Sequence, residues 1–180
     1  MASLGHIAVG LAAARLYLNS CQTGTPRVRT MAWMSALALL PDADVISFKL
    51  GIPYHAPFGH RGASHSFLAA LVCGLVCVSL FRVWGQRRGK TLLFTGLFAI
   101  GVVASHGVLV TLTNGGLAIA LLWPFTNQRF FAPWRPIPVA PIGIHLLSEY
   151  GVKVMLTELL YFLPLFVYAL WPRRRASVAP

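Results

Sequence analysis

The sequence predicts an all-α integral membrane protein: a single domain over residues 1–180, with about three full spans and one or two shorter helices near its N-terminus. Three observations carry this expectation. The chain is 57% hydrophobic and 11% charged, with a mean hydropathy of +0.69, whereas soluble domains carry about 25% charged residues. Three apolar runs approach the ~20 residues that a spanning helix needs. The Lys and Arg residues, 15 in all, gather largely in short clusters at the ends of apolar runs, as cytoplasmic loops do.

Taken in order, the first two apolar stretches are Leu4–Leu18 and Met31–Leu40, the second stopped by Pro41. At about 1.5 Å per residue neither covers the ~30 Å hydrocarbon layer. They read as half-spans, tilted short spans or helices packed against the others. Met1 is followed by no basic region and no cleavage site, so the first helix is expected to be retained. Ala63–Phe81 is the first full span, Arg82, Arg87, Arg88 and Lys90 form a basic turn, and Thr91 to about Val110 completes a hairpin. Residues 123–143 are rich in Trp, Phe and Pro and read as an irregular loop anchored at the interface, either a lid or a passive connector. Asn114-Gly115-Gly116 turns the chain before it. Val154–Trp171 is the last span; Pro164 is compatible with insertion, and Pro172 with Arg173–Arg175 ends it.

The formal charge of +11 fits membrane topology better than nucleic acid, because the basic residues do not follow one helical face with interleaved aromatics. Cys73 and Cys77 lie four apart in an apolar helix and Cys21 stands alone, which matches neither zinc-ribbon spacing nor a disulfide framework. The expected partners are therefore membrane lipid and a small-molecule or lipid substrate, not nucleic acid.

Two polar islands carry the chemistry. Of only four acidic residues, Asp42 and Asp44 stand one residue apart, upstream of His60-Arg61-Gly62-Ala63-Ser64-His65. Carboxylate oxygen and imidazole nitrogen are the ligands of zinc and similar divalent ions, and carboxylates beside lipid are costly and usually functional. A capping role for Asp42 is the plain alternative. If the basic clusters are cytoplasmic, His6, Asp42, Asp44, His60, His65, His106, His145 and Glu149 all fall at the outward end. His106 is either a ligand or a bond between helices. His145 and Glu149 share a helical face and are a ligand pair or a chance meeting. Glu158 is either a partner to a ligating histidine or a structural hydrogen bonder, and His55 has no evident partner.

Gly5-His6, Leu39 to Asp44 (LLPDAD), Gly59 to Ser66 (GHRGASHS), Ser105-His106 with the following T-x-x-GG-like turn, and Leu121 to Pro124 (LLWP) together resemble the YdjM-type inner-membrane family of metal-dependent hydrolases. That family is similar, distantly, to the all-helical zinc-dependent phospholipase C and nuclease group. The resemblance implies an inner-membrane location, a divalent cofactor (zinc first) and His6, Asp42, Asp44, His60, His65 and His106 as ligands; His145 and Glu149 resemble a His-x-x-x-Glu pair of the phospholipase group. It departs at one point: the family pattern has Asp four residues after the Ser-His histidine, where this chain has Val110.

The function so implied is metal-dependent hydrolysis of a phosphoester or lipid headgroup at the membrane surface. Asp44 and Arg61 are the catalytic candidates, and Arg61, Asn114, Arg129 and Arg135 the substrate-binding ones. No Gly-x-Ser-x-Gly motif supports a serine route. The alternative is a non-catalytic membrane protein with a degenerate or structural metal site, which Val110 favours. A transporter is the weaker third reading, since polar groups lie at helix ends rather than through the bilayer depth.

Overall fold

The computed structural model describes residues 3–21, 25–84 and 89–172. Its helices are α1 (Ser3–Cys21), α2 (Arg27–Leu39), the short α3 (Ile46–Lys49), α4 (Phe67–Val83), α5 (Gly89–Thr111) and α6 (Glu149–Leu170), with no strand among the described residues. Of the expected basic clusters, residues 87, 88 and 173–175 lie outside this set.

Helix α1 is the centre of the bundle and packs against α2, α5 and α6. Its buried positions are mostly small, including Gly5, Ala8, Gly10, Ala12 and Ala14. Gly10 allows the closest approach: a Cβ there would lie 2.6 Å from Ser35 Cα and 2.8 Å from the Met34 carbonyl. Below it Tyr17, Met34, Leu37, Ala99, Val102 and Val103 form the core, and the buried Tyr17 hydroxyl is satisfied by Thr95 Oγ1 at 3.0 Å. Helices α4 and α5 form the expected hairpin, with Gly96 facing Val78.

Two spans differ in length from the sequence expectation. Pro41 does not stop the second helix; it enters a 3-10 turn, Leu40–Val45, that runs directly into α3. Proline is tolerated in a first helical turn, where its missing N–H is not needed. The result is a continuous apolar rod, Arg27–Lys49, of 23 residues. Conversely, residues 63–65 form a separate 3-10 turn, and α4 begins only after Ser66, whose Oγ accepts from Ala69 N at 3.1 Å. Its 17 residues reach about 25 Å, short of the ~30 Å layer. Among the described residues, three helices are long and apolar enough to cross a membrane: Arg27–Lys49, Gly89–Thr111 and Glu149–Leu170.

Helix α6 runs parallel to α1. Near one end Glu158 Oε2 accepts from Gly5 N at 3.1 Å, placing a carboxylate at the positive end of the α1 dipole. Near the other, Arg15 donates to the carbonyls of Tyr168 and Trp171, and Arg27 to that of Ala169, so arginines satisfy the last carbonyls of α6. Helices α2 and α5 run towards the end of the bundle from which α1 and α4 depart, and residues 114–148 cross that end. Short backbone bridges, Thr113 to Ile137 and Ile119 to Phe130, tie this connector down.

Candidate metal centre

Four chain segments deliver side chains to one point. His6 lies in the first turn of α1, Asp42 and Asp44 in the 3-10 turn after α2, His60 and His65 before α4, and His106 five residues before the end of α5. Gly107 makes the last approach possible: a Cβ there would lie 2.5 Å from the His65 carbonyl oxygen. The cluster is sunk into the bundle. Seven residues of the rod follow Asp42, and Glu158, level with Gly5, is the tenth residue of α6. At about 1.5 Å per residue the site therefore lies about 8–13 Å inside the helix ends.

Proton accounting shows what the cluster lacks. His106 Nδ1 faces the Ala38 carbonyl at 2.7 Å; a carbonyl only accepts, so this nitrogen carries the hydrogen and donates it. The single Ser64 hydroxyl proton is donated to Asp44 Oδ2 at 2.5 Å. Ser64 Oγ therefore accepts from His65 Nδ1 at 3.0 Å, a nitrogen that also faces Asp44 Oδ2 at 3.2 Å. In their neutral forms both histidines then present Nε2 lone pairs to each other, 3.1 Å apart. Asp42 Oδ1 lies 3.5 Å from His65 Nε2 and 3.3 Å from His106 Nε2. Three acceptors meet with no donor among them, so a cation belongs there. Burial opposes charge on His65, but its hydrogen bonds to Asp42 and Asp44 and their negative charges raise its pKa above the ordinary imidazole value.

The same three atoms fit a divalent ion. Ligands at 2.0–2.1 Å in tetrahedral geometry are about 3.3–3.4 Å apart, and the three edges here are 3.1, 3.3 and 3.5 Å. His6 supplies a fourth candidate. Its ring stacks on His106 with centroids 3.7 Å apart, and both of its nitrogens are buried without a hydrogen-bond partner, a state that costs about 1–3 kcal/mol. Donor atoms of His6, Asp42 and His106 lie within 4.8 Å of one another, as do those of Asp42, Asp44 and His60. Asp42 is common to both groups.

A cavity of about 290 Å³ is lined by Asp42, His60, Arg61 and Val110 and by Val139–Gly143 of the aromatic-rich connector. Arg61 is 5% exposed and adopts a left-handed backbone, φ 62°, which is strained for a residue with a side chain. The conformation is held from both sides: Arg61 N donates to Asp44 Oδ2 at 3.0 Å, and its carbonyl accepts from Ala120 N and Arg129 Nη1. Its guanidinium is steadied by the Gly115 and Leu117 carbonyls, both at 2.9 Å from Nη1.

Other sequence-selected residues lie elsewhere. His145 and Glu149 are exposed and belong to neither converging group; Glu149 pairs with Lys153 at 2.7 Å. Arg135 is exposed over the Phe131 ring. Asn114 accepts from Val139 N at 2.9 Å and supports the connector. Arg129 spends its guanidinium on five carbonyls, those of His60, Arg61, Ala118, Tyr54 and Ala56, and is a clamp for the loop that carries the site. Ser64 and Tyr54 were not selected from sequence. Ser64 had a signal, a hydroxyl directly before His65; Tyr54, whose ring lies 5.3 Å from that of His60, had none.

Comparison with known proteins gives the lineage. A protein of Escherichia coli (strain K12), inner membrane protein YbcI, is 45% identical over 143 residues, covering 77% of this chain and 81% of that protein. No solved structure matches. The model of the YdjM inner membrane protein family matches residues 1–176. With apolar helices long enough to cross a bilayer three times and this match over nearly its whole length, the chain is a multi-pass inner-membrane protein and belongs to the YdjM inner membrane protein family.

Proposed function

We propose that the protein is a membrane-bound, metal-dependent hydrolase acting on a phosphoester. The observation that supports this best is the meeting of Asp42, His65 and His106 as three acceptors at the spacing of a divalent-ion site, beside a cavity with Arg61 in its wall. A bound divalent ion supplies Lewis acidity that activates water and polarises the ester. Asp42, His65 and His106 hold it, with His6 as the fourth ligand. Arg61 binds and orients an anionic oxygen through its guanidinium fork, and Val139–Gly143 of the connector line the same cavity. Arg15, Arg27, Arg29, Arg82 and Lys90 lie at the opposite end of the helices, which supports an outward-facing site by the excess of basic residues on the cytoplasmic side.

The test is metal content after purification in detergent. Zinc, manganese or a related metal is expected at stoichiometric level and lost in His65→Ala and Asp42→Ala; unchanged content in both variants would defeat the proposal. One observation favours a second reading, a structural metal site without catalysis: Val110, 2% exposed, presents an apolar wall to the cavity where the family pattern has aspartate. Val110→Asp separates the two. A gain in metal stoichiometry together with phosphodiesterase activity supports a hydrolase scaffold, and no change in either supports the structural role.

A further inference from the structure

Resting on the metal-centre reading, we infer that Asp44 is not a ligand but the positioning residue of the site: one carboxylate that fixes the Nδ1–H form of His60 and His65 together and leaves the Nε2 of both rings as their lone-pair atoms. An ionised carboxylate has about four lone-pair positions and no hydrogen to give. Three donors crowd Oδ2, which offers two of these positions, and one sits on Oδ1. His60 Nδ1 donates to Oδ1 at 2.5 Å, while Arg61 N at 3.0 Å, Ser64 Oγ at 2.5 Å and His65 Nδ1 at 3.2 Å face Oδ2. Oδ2 is full, and Oδ1 keeps one lone pair beside the His60 N–H. Asp42, two residues away and with the more exposed side chain, meets the Nε2 atoms of His65 and His106 through Oδ1. The two aspartates of one short turn thus divide the work: Asp42 faces the ion, and Asp44 faces the N–H groups behind it. The same carboxylate helps hold the left-handed Arg61, whose N–H donates to Oδ2. Orienting partners of this kind fix ring tautomer and raise ligand basicity, and losing one costs 10–100-fold in metal affinity.

Nitrogen chemical shifts of the full-length protein labelled with ¹⁵N-histidine, assigned with His60→Gln and His65→Gln, test the first part without metal or mutation at Asp44. Hydrogen on Nδ1 of both rings is expected; a bare Nδ1 on either ring overturns the inference. Cobalt(II) titration tests the second part. Asp44→Asn is expected to bind cobalt 10–100-fold more weakly yet to show the wild-type visible spectrum once saturated, whereas Asp42→Asn shows an altered one. A saturated Asp44→Asn spectrum changed in the manner of Asp42→Asn makes Asp44 a ligand and overturns the inference. Failure of the wild-type protein to bind cobalt overturns the metal reading itself, and the nitrogen shifts still decide the part played by Asp44.

Discussion

Replacing Gly107 by alanine probes the centre through its backbone and replaces no candidate ligand. The added Cβ would lie 2.5 Å from the His65 carbonyl oxygen and 3.0 Å from Leu121 Cδ2. Ordinary contact begins at 3.4 Å, so α5 and the His65 turn must separate by about 0.9 Å, and the nearer obstacle is backbone that has no rotamer to escape into. His65 Nε2 and His106 Nε2, now 3.1 Å apart, would open to about 4 Å, wider than the ~3.4 Å that two ligands of one tetrahedral ion span. Sites are held to about 0.5 Å. Metal affinity should therefore fall by roughly ten- to a hundredfold, the range seen when ligand orientation is disturbed, and metal-free stability by about 1–3 kcal/mol from overpacking. Gly101→Ala is the control on the same helix: nothing lies within 4 Å of its Cβ, and alanine favours helix by about 1 kcal/mol. Competition titration with a chromophoric chelator and thermal melts in EDTA read both effects. Wild-type metal affinity in Gly107→Ala would refute the assignment of His65 and His106 to one ion.

Three further outcomes are expected. Because the His65 pKa is raised, a proton competes for the position the ion takes, so affinity should fall about tenfold per pH unit as the pH drops through that pKa and level off above it; metal titrations at several pH values check this. Arg129→Lys keeps the charge but cannot reach five carbonyls, and should lower stability by about 2–3 kcal/mol in melts, since bonds from a charged fork are worth about 1.5–3 each. His145→Ala and Glu149→Ala, at exposed positions, should stay within about 0.5 kcal/mol of wild type and leave metal content unchanged by elemental analysis; a loss of metal in either would return that pair to the centre.

Sequence alone determined the solvent and the polarity of this protein. Long apolar runs admit only helices in a bilayer, because each backbone group must be satisfied within its own segment, and Asp42, Asp44, His60, His65 and His106 were legible since polar groups so placed are costly without a purpose. Their shared end also followed from the alternating direction of successive helices. Tertiary structure alone decided which atoms meet. His145 and Glu149 have the spacing of a ligand pair on one helix, but His145 lies in a 3-10 turn, Ser148 is extended, and Glu149 opens α6, so they share no helical face. Arg129 and Arg61 are both basic residues among polar neighbours in sequence; one fills its donors with carbonyls and the other borders the cavity. Asp42 and Asp44 are chemically identical, and the N–H and O–H groups brought around Asp44 from the His60–His65 loop make them different. Composition sets how much a group costs to bury, whereas its role depends on the direction of a few hydrogen bonds, and those directions come from packing between segments far apart in the chain.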